Sequence, residues 1–131
     1  MKNVLVLLHD DEGQEARLQV ALDLARTLSG HLMCVDVIVP PAAMGDRFEA
    51  AGGAIMMQHV REREAENRAA VEARLKVEDV SWSLLKRIGA PGRVLTETCD
   101  LADIIVLSIP GDSTDGELRR VTSEVAVKAD R

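Results

Sequence analysis

Short apolar runs alternate with amphipathic stretches along this chain, and the alternation predicts strands and helices in turn. The first apolar run, residues 4–8, is bounded by polar residues, as expected for a strand that is buried on both faces. Over residues 14–29 the apolar residues recur at helical spacing, and Gly30 is predicted to close this helix at the C′ position. A second apolar run, residues 32–39, predicts a strand that Pro40 and Pro41 end.

The second half of the chain continues this alternation after a segment rich in Pro, Gly, Ala and Met, residues 40–53, which is predicted to be a loop. The later predicted elements are a helix over residues 54–77, an edge strand over 80–85, a short helix over 93–99, a strand over 104–107 and a helix starting near Glu117. Strand and helix therefore alternate throughout. Such alternation predicts one doubly wound α/β domain with a parallel sheet and right-handed crossovers.

The long helix carries an apolar stripe and a run of mixed charge. The stripe is predicted to contain Ile55, Met56, Val60, Val71 and Leu75. The charged run, residues 61–68, has two interpretations, a partner-binding face or a solvated surface with i,i+4 ion pairs. We favour the solvated surface.

Composition narrows the function classes. The 131 residues suit a single domain, whose core must be aliphatic because aromatic residues make up only 2% of the chain. A net charge of −6 and the lack of a stacking aromatic set disfavour nucleic acid. No apolar run approaches a membrane span, and no leader peptide is evident, so we expect a cytoplasmic location. Cys34 and Cys99 lack metal-ligand spacing and are expected to be small buried hydrophobic residues.

Two places are candidates for chemistry. The loop over residues 108–116 joins a strand to a helix, where α/β domains hold phosphate, but it is acidic and contains only two glycines. His9, Asp10 and Asp11 follow the first strand and suit either a Mg²⁺ site or the start of a helix, and we favour helix capping. His31 and His59 are expected at surface or loop positions. No catalytic motif is present, so we do not expect an enzyme.

Several segments together resemble the universal stress protein family. They are the first strand opening into an acidic turn, the second strand ending at Val37, the segment Gly89-Ala90-Pro91 followed by a helix, and residues 101–107. The resemblance covers the whole chain. It implies a flavodoxin-like (adenine nucleotide alpha hydrolase-like) sheet in the order 3-2-1-4-5, a homodimer in many members, and either ATP binding or no nucleotide.

The resemblance also identifies a candidate nucleotide site. The family's phosphate motif, laid on this sequence without gaps, falls on Ser108, Gly111, Val121 and Thr122, so two positions match and two lack the expected glycine. A β-branched Val121 would occupy space that the phosphates need. The family's aspartate at the end of the first strand falls on His9, with Asp10 one place later. Val37 and Gly89, in the matching segments, complete this site, which we interpret as vestigial.

In the family a fifth strand follows the last helix and often pairs with the dimer mate. It has no counterpart before Arg131, so the order 3-2-1-4 is expected. One hypothesis is that this chain is the first half of a tandem universal stress protein, in which case a second such domain, rather than an identical subunit, would be its partner.

We therefore predict a regulatory or interaction module in stress response, without bound nucleotide or cofactor. One alternative is a member that binds ATP or AMP with Mg²⁺. The other is a phosphoacceptor receiver that uses Asp10 or Asp11.

Overall fold

The computed structural model describes residues 2–38 and 53–107, which form one parallel sheet with helices on both faces. The elements are β1 (Asn3–Leu8), α1 (Gln14–Thr27), β2 (His31–Ile38), α2 (Gly53–Leu75), β3 (Ser81–Ile88), α3 (Pro91–Thr98), a 3₁₀ turn (Cys99–Leu101) and β4 (Ile104–Val106). Every predicted strand and helix in these ranges is confirmed, with ends that differ by at most three residues. The largest difference is β3, which extends beyond the predicted Leu85 to Ile88.

The sheet has the order β3-β2-β1-β4, as expected, and all its pairings are parallel. The first two crossovers run in one direction from β1, and the third returns the chain to the other side of β1. The switch point of the fold therefore lies between β1 and β4, at the carboxyl ends of these strands. Receiver domains have the order 2-1-3-4-5 instead. The observed strand order therefore excludes the phosphoacceptor receiver as an interpretation of this chain.

Each face of the sheet carries its own apolar core, because side chains alternate along β1 and β2. Val4, Val6 and Leu8 face α1 and α2, whereas Leu5 and Leu7 face the side covered by α3. These two strands are buried on both faces, so their apolar runs contain no solvent-facing position.

Helix α1 ends in a Schellman motif, one residue earlier than predicted. Ser29, not Gly30, occupies the left-handed C′ position, with φ at 49°. The N–H of Gly30 bonds the carbonyl of Ala25 at 2.8 Å, and the N–H of Ser29 bonds that of Arg26 at 3.2 Å. Gly30 is needed for a different reason, since a Cβ there would overlap the carbonyl oxygen of Lys2.

The predicted apolar stripe of α2 is confirmed at Val71 and Leu75 but is wrong at Ile55. Met57, Val71 and Leu75 are buried, whereas Ile55 is 64% exposed. Glu64 and Arg68 lie at helical spacing between Met57 and Val71, so these two charged residues share the sheet-facing side of the helix. The interpretation of the charged run as a solvated surface is therefore wrong for these residues, because they point toward the sheet.

Polar contacts also join α1 to α2 along their length. The Gln14 and Asn67 amides exchange two hydrogen bonds, of 2.7 and 3.0 Å. Arg74 bonds Glu15 at 2.7 Å, and Arg26 bonds Glu78 and Asp79 in the turn after α2. These contacts fix the two helices side by side over the same face of the sheet.

Some predictions fall on residues outside the described ranges. These are the loop over residues 40–52, Ser108 and the phosphate-motif positions after it, and the helix near Glu117. Within the described ranges, the longest helices are too polar to cross a bilayer.

The end of α1 gives a paired prediction. We expect Ser29→Gly to raise the free energy of unfolding by about 0.5–1 kcal/mol, because glycine relieves the left-handed conformation. We expect Gly30→Ala to lower it by about 1–3 kcal/mol, because the new methyl group meets a backbone carbonyl. Urea denaturation of both variants checks the signs, and equal effects at the two positions would contradict the assignment of Ser29 to C′.

Candidate functional site

The described residues of the predicted nucleotide site lie where the carboxyl ends of β1, β2 and β3 meet. We call this side of the sheet the carboxyl edge. His9 and Asp10 follow β1, and the register pairs Leu8 with Asp36, which places Val37 just beyond the end of β1. Gly89 follows β3, and its N–H bonds the carbonyl of Ile38 at 3.0 Å. Ser108, Gly111, Val121 and Thr122 lie outside the described residues.

A buried arginine that the sequence analysis did not single out organises the segment after β1. Arg17 lies in the first turns of α1 and is 3% exposed. Its guanidinium donates to both carboxylate oxygens of Asp11, at 3.0 and 3.3 Å, and to the carbonyl oxygens of Leu7 and His9, at 3.0 and 3.1 Å. A bidentate, charge-assisted pair of this kind is strong and fixes both partners in one geometry.

This arrangement corrects both interpretations of Asp11. The residue before α1 is Gly13, and no side chain caps the helix, so the capping interpretation is wrong. The Asp11 carboxylate is also engaged by Arg17, which leaves it poorly placed to take Mg²⁺. Asp10 is exposed, and its carboxylate lies 3.8 Å from the guanidinium of Arg63 on α2. Among the described residues, no three side chains of the metal-ligating types form a cluster.

A second charged pair lies at the end of β2. Asp36 is 5% exposed and accepts a 2.7 Å hydrogen bond from Arg68 of α2. The paired carboxylate occupies the α2 face because it lies in register with Cys34 and Leu32, which face the same core. The opposite charges of Arg68 and Asp36 neutralise each other, and their hydrogen bond attaches the middle of α2 to the carboxyl end of β2.

Glu64 adds a third charge to this region. Burial raises the pKa of the Glu64 carboxyl above its ordinary value, and the negative charge of Asp36 raises the pKa further. The positive charges of Arg68, His9 and Arg61 act in the opposite direction. Burial and the neighbouring Asp36 carboxylate together favour the protonated form of Glu64.

The backbone of His9 makes two hydrogen bonds to side chains of α1. Its N–H donates to the Gln14 side chain at 3.0 Å, and its carbonyl accepts from Arg17. Gln14 is itself bonded to Asn67, so the segment after β1 is linked through Gln14 to α2. The backbone path from β1 into α1 is therefore fixed from two sides.

Val37 and Gly89 lie on the opposite, apolar side of the same edge. Val37 is buried with Val94 and Leu95 of α3. Gly89 has φ at 148°, and a Cβ there would lie 2.6 Å from the Arg93 guanidinium and 3.2 Å from a Val94 methyl group. The backbone conformation therefore favours glycine at this position, whereas the exposed Arg93 side chain could move aside.

The sequence contains a signal for each of the two buried charged residues, Arg17 and Asp36, that were not predicted. Arg17 stands four residues before Ala21 and so belongs to the apolar stripe of α1, where a charged residue needs buried partners. Asp36 is the one acid within the second apolar run. Each is a charged residue at a position that the pattern assigns to the core.

Cys34, His31 and His59 lie outside the carboxyl edge, and none of them is placed to act on a ligand bound there. Cys34 is buried as expected, and burial raises the pKa of its thiol to about 12, which makes it a poor nucleophile. His31 is not in a loop but begins β2, and its ring nitrogens lie 2.6 and 2.9 Å from the Ser81 and Ser83 hydroxyls of β3. His59 is exposed, as expected.

Several solved universal stress proteins share this fold. UspA from Lactobacillus plantarum has 15% sequence identity and a TM-score of 0.72, over 97% of this chain and 91% of that one. A universal stress protein from Archaeoglobus fulgidus has 16% identity and a TM-score of 0.62, over 100% of this chain and 95% of that one. A universal stress protein in complex with cAMP has 20% identity and a TM-score of 0.58, over 96% and 88%.

No curated protein sequence is a significant match. The sequence model of the Universal stress protein family, in contrast, matches residues 1–130, nearly the full length. This match agrees with the sheet order and with the segments that carry the resemblance. The chain belongs to the universal stress protein family.

Proposed function

We propose that this universal stress protein is a regulatory module that acts through protein contacts, does not catalyse a reaction and does not hold ATP. The observation that carries the proposal is the pairing of charges at the carboxyl edge. Arg17 is bound to Asp11, and Arg68 is bound to Asp36. Among the described residues, these four charged side chains at the carboxyl ends of β1 and β2 are thus engaged with one another.

Breaking these pairs to admit a ligand is costly. Arg17 and Asp36 are both nearly inaccessible to solvent, and a buried charge that loses its partner is strongly destabilising. A ligand would have to replace each lost contact with an equally good one. This cost favours a site that stays closed to charged ligands.

The phosphate motif supports the same proposal. Ser108 and Val121 stand where the family's ATP-binding members have glycine, and side chains there obstruct the close approach of backbone to phosphate. Asp112 and Asp115 add negative charge to the same loop and repel a triphosphate. We propose that the fold is retained for its surfaces and that the module works as a homodimer in the cytoplasm.

An adenine-nucleotide-binding module is the second candidate. It is favoured by Val37 and Gly89, which give the α3 side of the carboxyl edge an apolar, close-packed character suited to a nucleobase. One universal stress protein of this fold is a complex with cAMP. A nucleotide without a triphosphate would avoid much of the repulsion from the acidic loop.

Calorimetric titration separates the two candidates. We expect no binding of ATP with Mg²⁺ to the purified chain at micromolar to millimolar nucleotide. The same titration with AMP and with cAMP tests the second candidate. Micromolar binding of ATP that Gly111→Val abolishes would defeat the first proposal.

The buried pair at Arg17 gives a stability prediction. We expect Arg17→Met to lower the free energy of unfolding by about 3 kcal/mol, because Asp11 and two carbonyl oxygens lose their donor. Arg26→Met is the matched control on the same helix, and we expect a clearly smaller loss there, because the Arg26 guanidinium is solvent-exposed. Urea denaturation measures both. Equal losses would show that the Arg17 pair is not the stronger contact.

Glu64 gives a prediction for pH. Its folded-state pKa is raised above the ordinary value of 4.5, so its contribution to stability is fully present below that pH and is lost as the pH rises through the folded pKa. We expect Glu64→Gln to lose less stability than the wild type between pH 4.5 and neutrality.

Glu66→Gln, an exposed carboxyl on the same helix, is the control for this measurement and should follow the wild type. Urea midpoints at the two pH values supply the comparison. The interpretation of Glu64 fails if its variant shows the same pH dependence as the wild type.

A further inference from the structure

A histidine and two serines form a hydrogen-bonded group at the amino ends of β2 and β3, away from the carboxyl edge. The register pairs His31 of β2 with Ser81 of β3, and Ser83 follows on the same face of the sheet. The ring Nδ1 of His31 lies 2.6 Å from the Ser81 hydroxyl oxygen, and the ring Nε2 lies 2.9 Å from that of Ser83. None of the three side chains belongs to either apolar core.

The imidazole ring has one orientation because both of its nitrogens are engaged. A neutral imidazole donates a hydrogen bond from one nitrogen and accepts one at the other. Ser81 is exposed, whereas Ser83 is partly buried. We assign the donor to Nε2, which bonds the buried Ser83, so that Nδ1 accepts from the accessible Ser81 hydroxyl.

The backbone that carries this group is firmly fixed. The N–H of His31 bonds the carbonyl of Lys2 at 2.7 Å, and Gly30 packs so closely on that carbonyl that a Cβ would overlap it. Ser81 and Ser83 both lie in the ladder between β3 and β2. Side chains on paired strands keep their mutual geometry better than side chains on loops. The contacts of His31 are therefore preorganised.

This arrangement contains the parts of an activated serine nucleophile. A serine hydroxyl is a weak nucleophile until a base within hydrogen-bond reach takes its proton, and the base is in turn oriented by a third group. Ser81 is the hydroxyl, His31 is the base and Ser83 is the orienting group. Because Ser81 is exposed, a molecule from solution can reach it.

The surrounding charges favour an acyl donor over a phosphoryl donor. Glu78 and Asp79 lie just before Ser81 in the chain, and Arg26 and Arg74 are engaged with these acids. Neither guanidinium is therefore available to neutralise the anionic group of a phosphoryl donor, as phosphoryl transfer requires. An activated ester instead reacts at an uncharged carbonyl carbon and needs no cationic partner.

We propose that Ser81 is a modification site that takes an acyl group from a small activated ester. As the bond between Oγ of Ser81 and the acyl carbon forms, the hydroxyl proton passes to Nδ1 of His31. The bond from the acyl carbon to the leaving oxygen breaks, and the leaving group departs with that electron pair and recovers the proton from the imidazolium. The products are acyl-Ser81 and an alcohol or phenol. This inference goes beyond the proposed function and does not depend on it.

Reaction of the full chain with p-nitrophenyl acetate tests the proposal. We expect a rapid release of p-nitrophenol in proportion to the protein, with one acetyl group added per chain by intact mass. Peptide mapping should place this group on Ser81, and hydroxylamine should remove it, because hydroxylamine cleaves an ester but not an amide on lysine. Ser81→Ala should lose the rapid phase.

His31→Gln is the decisive variant. Glutamine can still hydrogen-bond both serines but cannot act as the base, so we expect the rate of acetylation at Ser81 to fall by about a hundredfold or more. His59→Gln removes an exposed histidine elsewhere and is the matched control, with an unchanged rate. Circular dichroism and urea denaturation show whether both variants fold.

Ser83→Ala keeps the base but removes the group that orients it, so a smaller fall in rate is expected. This variant also serves if His31→Gln does not fold. Acetylation that is absent from Ser81, or that has the same rate in the wild type and in these variants, overturns the proposal. Continued turnover of the ester through Ser81 supports the proposal but contradicts the non-catalytic module, so the two proposals fail separately.

Discussion

The carboxyl edge of this protein depends on one buried guanidinium. β1 ends where its backbone leaves the sheet, and the carbonyl oxygens of Leu7 and His9 need donors there; Arg17 supplies them while it neutralises Asp11. Because the arginine belongs to α1, the same contacts also fix how the helix starts relative to the strand. An interaction that satisfies carbonyls, pairs a charge and joins two elements cannot be removed without disturbing all three functions.

The carboxyl edge differs in polarity between the two faces of the sheet. On the side of α1 and α2 it is polar, with the Asp36 carboxylate bonded to the Arg68 guanidinium and with Glu64 close enough to feel both charges. On the side of α3 it is apolar and tightly packed around Val37 and Gly89.

Most of the fold was predictable because strong local patterns agreed with the tertiary structure. Continuous apolar runs identified β1 and β2, whose two covered faces leave no alternation, and helical periodicity identified α1. The errors arose where packing overrode the pattern. Ile55 matched a helical stripe, but Met57 faces the core instead, and Ser29 took the left-handed position that glycine usually fills, because Gly30 is needed beside Lys2. The candidate site was less predictable, since its partners are distant in sequence.

The sequence by itself determined the order of the elements, the parallel sheet, the aliphatic core and the family, because these follow from periodicity and from motifs that are local in the chain. It also contained two charged residues within apolar patterns, Arg17 and Asp36, whose burial was not predicted. Only the tertiary structure decided what those charges bind. Asp11 is six residues from Arg17, and Asp36 is 32 residues from Arg68, and no local rule selects such partners. The crossing of α2 over the sheet brings Arg68 to Asp36, a carboxylate that would otherwise be buried without a partner.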